Sequence, residues 1–370
     1  MVVRWLNREE RSPQDSSFKD KLIKNIVLPS ALEKNNVQLA KEILSERLLN
    51  DVERYCLLSM KHQDNGMKTA LHLAVMNGHL DVVKILAEQT YAPFSSLVTR
   101  RDEEKKTPLL TAAEYGHLDI FKYLVERGAE IETNGRPGES TLMFAANCGH
   151  VPIIKYLIDI GADIKSTNER GETPQHIAVL RGHLSVIEYL IESGAVLSST
   201  DNEGETVLHL AAHKGYLQIV EYLVKKGTNL ESTNNRGETA LLAAVWPGHL
   251  QIVKYLIESG ADVHTTNKYG ETSMHAAARE GYLPIIEYLV KKGSRVDYRN
   301  KYGNTALFEA AQEGHLSVTD YLVKNEADIN STDNEGETII HVAARRGHLS
   351  IINYLVDHSA NVNSEAILRS

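Results

Sequence analysis

The sequence repeats itself every 33 residues, and this period constrains the fold more than any other feature. A hydroxyl side chain recurs at that spacing through eight copies, at Thr107, Ser140, Thr173, Thr206, Thr239, Thr272, Thr305 and Thr338. A ninth copy begins at Thr69, 38 residues before Thr107. A fixed period of roughly 20 to 50 residues is typical of stacked repeats, in which each unit contacts only its neighbours.

A single copy already contains the signals of two helices. Thr173 is a predicted N-cap, Pro174 fits the first helical position, and Gly182 is expected to end the first helix in the left-handed conformation. Apolar residues at helical spacing then predict a second helix that ends at Gly194. The polar segment 166–171 predicts a tight hairpin turn. Such a unit is too small to bury its apolar face alone, so it must stack on its neighbours.

Three motifs of this chain resemble the ankyrin repeat. They are Gly204–Ala212 (GETVLHLAA), Gly182–Leu184 (GHL) and Gly260–Asp262 (GAD). The resemblance covers about residues 66–363. It implies an all-α solenoid of helix–turn–helix units with short β-hairpin loops, with about nine regular repeats and a degenerate N-terminal one. It also implies that the first helices and the hairpin tips line a concave face.

Several copies depart from the family pattern, and we expect weaker helix caps there. The second glycine is replaced by Glu326 and Ser359, and the motif histidine is replaced by Leu110, Met143, Leu242 and Phe308.

The pattern predicts four segments. Residues 1–21 are polar and expected to be flexible, and residues 22–65 are expected to form a degenerate capping repeat with a helical extension. The ankyrin-repeat domain is predicted over 66–363 with an insertion at about 88–106, followed by a tail at 364–370.

Charge and composition exclude several classes of protein. A net charge of −9 without a long basic run disfavours binding to nucleic-acid phosphates. No secretory signal and no run of about 18 apolar residues is present, so neither secretion by that route nor a membrane span is expected. Two cysteines provide no disulfide framework. The sequence therefore predicts a cytoplasmic protein of a reducing, intracellular compartment, in a host cell if the chain is a delivered effector.

Most of the 16 histidines recur in register, which predicts hydrogen bonding between neighbouring repeats, not catalysis. Five lie three residues after the cap, at His72, His176, His209, His275 and His341. Seven lie in the turn after the first helix, at His79, His117, His150, His183, His249, His315 and His348. His209 and His213 have helical spacing but lack the glutamate of a zinc-protease helix. No metal site is expected.

Signatures of catalysis are also missing from the sequence. It contains no phosphate-binding P-loop, no nucleophile elbow and no set of kinase motifs. We therefore expect no enzyme activity, no catalytic residue and no cofactor.

Candidate partner-binding residues are those that vary between copies at exposed positions. One such set, which we call the display row, comprises Met76, Glu114, Asn147, Leu180, His213, Trp246, Arg279, Gln312 and Arg345. Trp, Tyr and Arg are enriched in binding hot spots. From the row and the hairpin tips, the predicted binding residues are His213, Arg236, Trp246, Lys268, Tyr269, Arg279, Lys301 and Tyr302. The alternative is that Trp246 and the tyrosines only pack on neighbours.

A second set of recurring residues precedes the caps and is called the acidic ridge: Glu139, Glu172, Glu205, Glu238, Glu271 and Glu337. A carboxylate there stabilises the helix N-terminus by a few tenths of a kcal/mol, roughly. Alternatively, the aligned charges would speed encounter with a partner that has a basic surface.

The sequence predicts a non-catalytic protein–protein interaction module, monomeric alone, that binds a protein on its concave face as scaffold, adaptor or inhibitor. The last repeat resembles an interior one, so its end is expected to be incompletely capped. This favours an alternative, in which the chain is the recognition arm of a larger enzyme or secreted effector whose catalytic part lies elsewhere.

Overall fold

The computed structural model describes residues 38–39, 68–88, 95–131, 139–358 and 360. The chain divides into two compact units, Met1–Ala195 and Val196–Ser370. The predicted segments 1–21 and 364–370, and nearly all of 22–65, lie outside the described residues. So do Ser359 and residues 89–94 of the predicted insertion.

The described part of the first unit consists of helix pairs and one short extra helix. Its helices are α1 (Ala70–Met76), α2 (Leu80–Glu88), α3 (Ser95–Val98), α4 (Pro108–Tyr115), α5 (Leu118–Glu126), α6 (Thr141–Cys148), α7 (Val151–Asp159), α8 (Pro174–Leu180) and α9 (Leu184–Glu192). Helix α3 lies in the predicted insertion and buries Leu97 and Val98.

The described part of the second unit consists of helix pairs only. Its helices are α10 (Val207–Lys214), α11 (Leu217–Lys225), α12 (Ala240–Val245), α13 (Leu250–Glu258), α14 (Ser273–Arg279), α15 (Leu283–Lys291), α16 (Ala306–Glu313), α17 (Leu316–Lys324), α18 (Ile339–Arg346) and α19 (Leu349–Asp357).

Within each unit, first helices pack on first helices and second helices on second helices, as α10 on α12 and α11 on α13. Most first helices are buried almost all round, and every residue of α12 is buried, whereas the last first helix, α18, buries only Ile339, Val342 and Ala343. The second helices bury one stripe, for example Ile252, Val253 and Leu256 of α13. Because a fully buried aliphatic side chain contributes about 1.5 to 3 kcal/mol, the stacking supplies the core that one repeat lacks. The predicted all-α repeat solenoid is confirmed.

Each first helix among the described residues begins at the predicted hydroxyl cap, and the motif histidine completes the cap in the copies that have one. In the copy at Thr206, the backbone N–H of Thr206 donates to Nδ1 of His209 at 3.3 Å, and Oγ1 lies 2.8 Å from the same nitrogen. Nε2 of His209 donates to the carbonyl of Glu238 in the next repeat at 3.0 Å. One imidazole therefore caps its own helix and holds the following repeat.

The hairpin tips are tight turns that bond to one another. In the tip at Asn267, the N–H of Gly270 donates to the carbonyl of Asn267, and the N–H of Asn267 to the carbonyl of Glu271. Lys268 N–H donates to the carbonyl of Arg236 at 2.8 Å, which links consecutive tips. In the described chain, β-pairing at the tips is confined to isolated bridges, such as that between Thr200 and Thr206.

The predicted weak cap at Glu326 is visible in the backbone. Glu326 adopts φ 69°, in the left-handed region that glycine occupies at the same place in other copies, such as Gly194 with φ 96°. A Cβ is disfavoured there.

No helix among the described residues is long and apolar enough to cross a membrane.

Candidate functional site

The turn histidines fix the backbone of the display row. Nε2 of His249 lies 3.1 Å from the carbonyl oxygen of His213, and Nε2 of His315 lies 2.9 Å from that of Arg279. Since a carbonyl oxygen only accepts, Nε2 is the donor in each case. The predicted bonding between neighbouring repeats is confirmed for these histidines. Sequence reasoning overlooked Tyr282, whose hydroxyl replaces the imidazole and donates to the carbonyl of Trp246 at 3.5 Å.

Display-row residues bind the pre-cap residue of their own repeat, eight positions earlier. Four copies show this contact, although the chemistry differs between them. The pairs are Lys106 with Glu114 at 2.7 Å, Glu238 with Trp246 at 3.0 Å, Glu271 with Arg279, and Glu337 with Arg345 at 2.6 Å. In three of these copies, at Glu238, Glu271 and Glu337, the acidic ridge therefore contacts the display row.

The most extensive of these clusters surrounds Arg279. Its guanidinium donates to Glu271 in the same repeat and to Oε2 of Glu309 in the next repeat at 3.0 Å. It also lies over the indole of Trp246, 5.5 Å from the ring centroid. Glu271 and Glu309 are 5% and 1% exposed. Burial opposes the charge on Arg279, but the bonds and charges of Glu309 and Glu271 outweigh it and raise the pKa of the guanidinium.

Asparagines of the hairpin tips hold the neighbouring carboxylates. Asn234 donates from Nδ2 to Glu205 at 2.8 Å and to Glu238 at 3.0 Å, and Asn267 donates to Glu271 at 2.8 Å. Burial raises the pKa of the Glu205 carboxyl; the bond from Asn234 opposes this, while the charges of Asp201 and Glu238 add to it. These carboxylates are therefore bound within the protein.

Six of the eight predicted binding residues line one groove of about 790 Å³ in the second unit. Its full lining is Glu205, Leu210, His213, Arg236, Glu238, Ala243, Trp246, Asn267, Tyr269, Glu271, Arg279 and Tyr302. Tyr269 and Tyr302 are 40% and 56% exposed and stack on each other, with ring centroids 6.4 Å apart. Aromatic side chains and arginine, which this groove combines, are enriched at the cores of protein interfaces.

Lys268 and Lys301 are not among the residues that line the groove. Both are exposed at the tips that carry the two tyrosines. The ammonium of Lys268 lies 5.3 Å from the ring centroid of Tyr269. The two lysines therefore belong to the rim of the groove.

The structure changes the interpretation of Trp246 and of the acidic ridge. Trp246 is half-buried and contacts both Glu238 and Arg279, so it does take part in packing between repeats. Within the ridge, Glu172, Glu238 and Glu271 are buried, and each accepts a hydrogen bond from an asparagine of its own tip. Glu139, Glu205 and Glu337 are only partly exposed. Their predicted effect on encounter rates stays a prediction.

Sequence reasoning missed Glu309 and the tip asparagines. Glu309 directly follows the motif-histidine position, where other copies carry Leu73, Leu210 or Val342. A lone carboxylate in that apolar series was a detectable signal. A second detectable signal was the pairing of opposite charges eight residues apart, which has the cation first in Lys106–Glu114 and the carboxylate first in Glu271–Arg279.

The described residues hold no cluster of three or more His, Cys, Asp or Glu side chains that suits a metal ion. His209 is buried and bound to Thr206 and Glu238, whereas His213 is exposed. These two histidines therefore do not converge on one site.

Comparison with known protein families agrees with the structural repeat. The family model described as ankyrin repeats (3 copies) matches residues 28–135, 131–201, 196–267, 218–300 and 274–366. No match was found among curated proteins. Ankyrin repeats mediate protein–protein interaction and are typically non-catalytic. The family matches run with overlaps from residue 28 to residue 366, and the chain belongs to the ankyrin-repeat family.

Proposed function

We propose that the groove of the second unit, with the tips on its rim, binds a protein segment, and that the chain acts as scaffold, adaptor or inhibitor. The observation that carries this proposal is the convergence of His213, Trp246, Arg279, Tyr269 and Tyr302, with Arg236, on one groove. The resemblance to the family implies that this face is concave.

A partner that binds in the groove contacts side chains that are already held in place, so little conformational entropy is lost on binding. Trp246 is held by Glu238, the backbone of Arg279 is held by His315, and the two tyrosines stack on each other. Side chains that are already fixed lose little conformational entropy when a partner binds. A standard interface needs about 800 Å² from each partner, which a few neighbouring repeats can supply.

The exposed charges around the groove favour a partner segment that carries carboxylates beside apolar side chains. Arg236, Lys268 and Lys301 are exposed, and none of them forms an ion pair with another described residue. By contrast, Glu238 and Glu271 already accept bonds from Trp246, Arg279 and tip asparagines. A partner with a basic surface, which the acidic ridge predicts, is the other outcome.

The test is a selection of peptides from a random library on the native chain, followed by affinity measurements by fluorescence anisotropy. We expect Tyr269→Ala/Tyr302→Ala to weaken binding of the selected peptides by about 2 kcal/mol, as for hot-spot residues. Tyr222→Ala is the matched control, because Tyr222 lies on a second helix of the same unit and does not line the groove. Trp246→Ala is a weaker test, since it also removes contacts with Glu238 and Arg279.

Equal affinity for the native chain and the double variant would contradict the proposal. Enrichment of Lys- and Arg-rich peptides would instead support the acidic ridge as the recognition surface. The alternative role, a recognition arm of a larger enzyme or effector, uses the same binding face and stays a prediction.

A further inference from the structure

A second cavity, of about 220 Å³, lies apart from the groove and shares none of its lining residues. It is bounded by Val263, His264, Thr272, Ser294, Arg295 and Tyr298. Ser294 follows Gly293 at the exit of α15, and its N–H bonds to the carbonyl of Leu289, which fixes the backbone at that point. The cavity therefore opens between two consecutive hairpin regions of the second unit.

Three of the lining residues are exceptions within the chain's own repeats. Arg295 is a cation where the matching positions carry acidic, amide or apolar side chains, and Tyr298 is aromatic where they carry Ser or Thr. Ser294 stands where six other copies have alanine, namely Ala129, Ala162, Ala195, Ala261, Ala327 and Ala360. The fold does not require these three side chains, because its other copies form without them.

The hydroxyl of Ser294 is buried and has no hydrogen-bond partner among the described residues. Thr228, the other hydroxyl at this position, donates to the carbonyl of Leu223 in its own repeat. Ser294 does not make the equivalent bond. A buried polar group without a partner is costly, and it is satisfied when a ligand supplies an acceptor.

The remaining groups around the cavity favour an anion. Arg295 and His264 are exposed, and Arg295 forms no ion pair with any other described residue. No carboxylate is among the residues that line the cavity, and the acidic groups next to the lining residues accept hydrogen bonds from the protein. Asp262 accepts the N–H of His264, Asp297 accepts the N–H of Asp328, and Glu271 binds Arg279. Thr272 is engaged by His275, so the available donors are on Ser294, Arg295, His264 and Tyr298.

We propose that this cavity binds a phosphate group, free or carried on a phosphorylated side chain. The guanidinium of Arg295 matches two phosphate oxygens, and the hydroxyls and imidazole provide donors for the others. Four donor side chains around one cavity fit a tetrahedral oxyanion better than a planar carboxylate, which has only two oxygens. The proposal does not depend on the function assigned to the groove.

Titration of the full chain with inorganic phosphate, phosphoserine, serine and acetate, followed by NMR of the backbone amides, tests the proposal. We expect shifts at Ser294 and Arg295 with phosphate and phosphoserine, and none with serine or acetate. Tighter binding of phosphoserine than of phosphate would identify a phosphorylated side chain as the source, and the reverse order would identify the free ion.

Two variants and one control distinguish phosphate binding in this cavity from nonspecific attraction of phosphate to surface arginines. Arg295→Gln is expected to raise the dissociation constant for phosphate about tenfold, as one charge-assisted pair is lost. Ser294→Ala restores the residue of six other copies, so the fold is kept, and is expected to raise it roughly threefold to tenfold. Arg346→Gln, an exposed arginine outside the cavity, is expected to leave it unchanged.

Absence of phosphate binding in the native chain would overturn the proposal. So would binding that Arg295→Gln and Ser294→Ala leave unchanged, which would show an adventitious ion only.

Discussion

The same two positions carry opposite charges in the two units. In the first unit, Lys106 before the cap binds Glu114 in the display row, whereas in the second unit Glu271 before the cap binds Arg279 in the row. The first helices of both copies begin at equivalent residues, Pro108 and Ser273, each after a threonine cap. The repeat therefore accepts either sign of charge at each position when the two residues pair, and copies such as that of Glu172 and Leu180 form without an ion pair there. This freedom allows the row to vary between copies while the fold stays constant.

The two pairs also differ in burial, so removing the cation from each is expected to change the free energy of unfolding by different amounts. Arg279→Met leaves Glu271 and Glu309, which are 5% and 1% exposed, without a counter-charge. We expect a loss of about 3 kcal/mol or more in the free energy of unfolding. Lys106→Met affects Glu104 and Glu114, whose side chains are 64% and 34% exposed, and we expect about 1 kcal/mol or less.

Urea unfolding followed by circular dichroism measures both losses. Similar losses for the two variants would show that burial of the carboxylates does not set the strength of these contacts.

Exchanging the partners of each pair tests whether complementarity alone is required. Lys106→Glu/Glu114→Lys is expected to lose about 1 kcal/mol or less, because the side chains of Glu104 and Glu114 are 64% and 34% exposed and solvent screens the new contacts. Glu271→Arg/Arg279→Glu is expected to remain about 2 kcal/mol less stable, since the carboxylate introduced at position 279 would face the buried Glu309. Full recovery of stability by the second exchange would contradict the role given to Glu309.

Acid should weaken the second unit through His275. Burial lowers the pKa of His275; the bond to the carbonyl of Asn304 and the charges of Glu309 and Glu271 oppose this, and Arg279 adds to it. His275 therefore binds a proton more tightly in the unfolded chain than in the folded one. Its contribution to the free energy of unfolding is fully present above about pH 6.5 and is lost as the pH falls below that value. His275→Leu, which copies Leu242, is expected to lose about 1 kcal/mol at neutral pH and to show a flatter dependence on pH.

Unfolding midpoints between pH 5 and 8 check this expectation. An equal acid-dependent loss in the native chain and in His275→Leu would assign the effect to other groups.

The last comparison is between Glu326 and the glycine at the same position in the first unit. Gly128, Gly161 and Gly194 have φ between 88° and 96°, and Glu326 adopts φ 69° at the equivalent turn. Glu326→Gly is expected to stabilise the chain by about 1 kcal/mol, because the strain on a residue with a Cβ is relieved. Gly194→Glu is the reciprocal change and is expected to destabilise by a similar amount in thermal unfolding.

The sequence predicted those features that recur at the same position in most copies. Caps such as Thr206, turns such as Gly215 and bridging residues such as His209 occupy the same position repeatedly, so their roles follow from backbone conformation and spacing. Contacts between different repeats were harder to predict. Glu309 is 30 residues from Arg279, and only the packing of α14 on α16 brings the two side chains together. The packing of α12 on α14 likewise brings Trp246 against Arg279, which is the packing role that the sequence left as an alternative.

The turn histidines hold the display row by its peptide carbonyls, as His315 holds Arg279, and make no use of the side chain shown on the surface. A substitution in the row consequently leaves the attachment to the next repeat intact. This holds at row positions whose side chain does not pair with a buried charge. At those positions, binding specificity can change by single substitutions while the protein stays folded after each one.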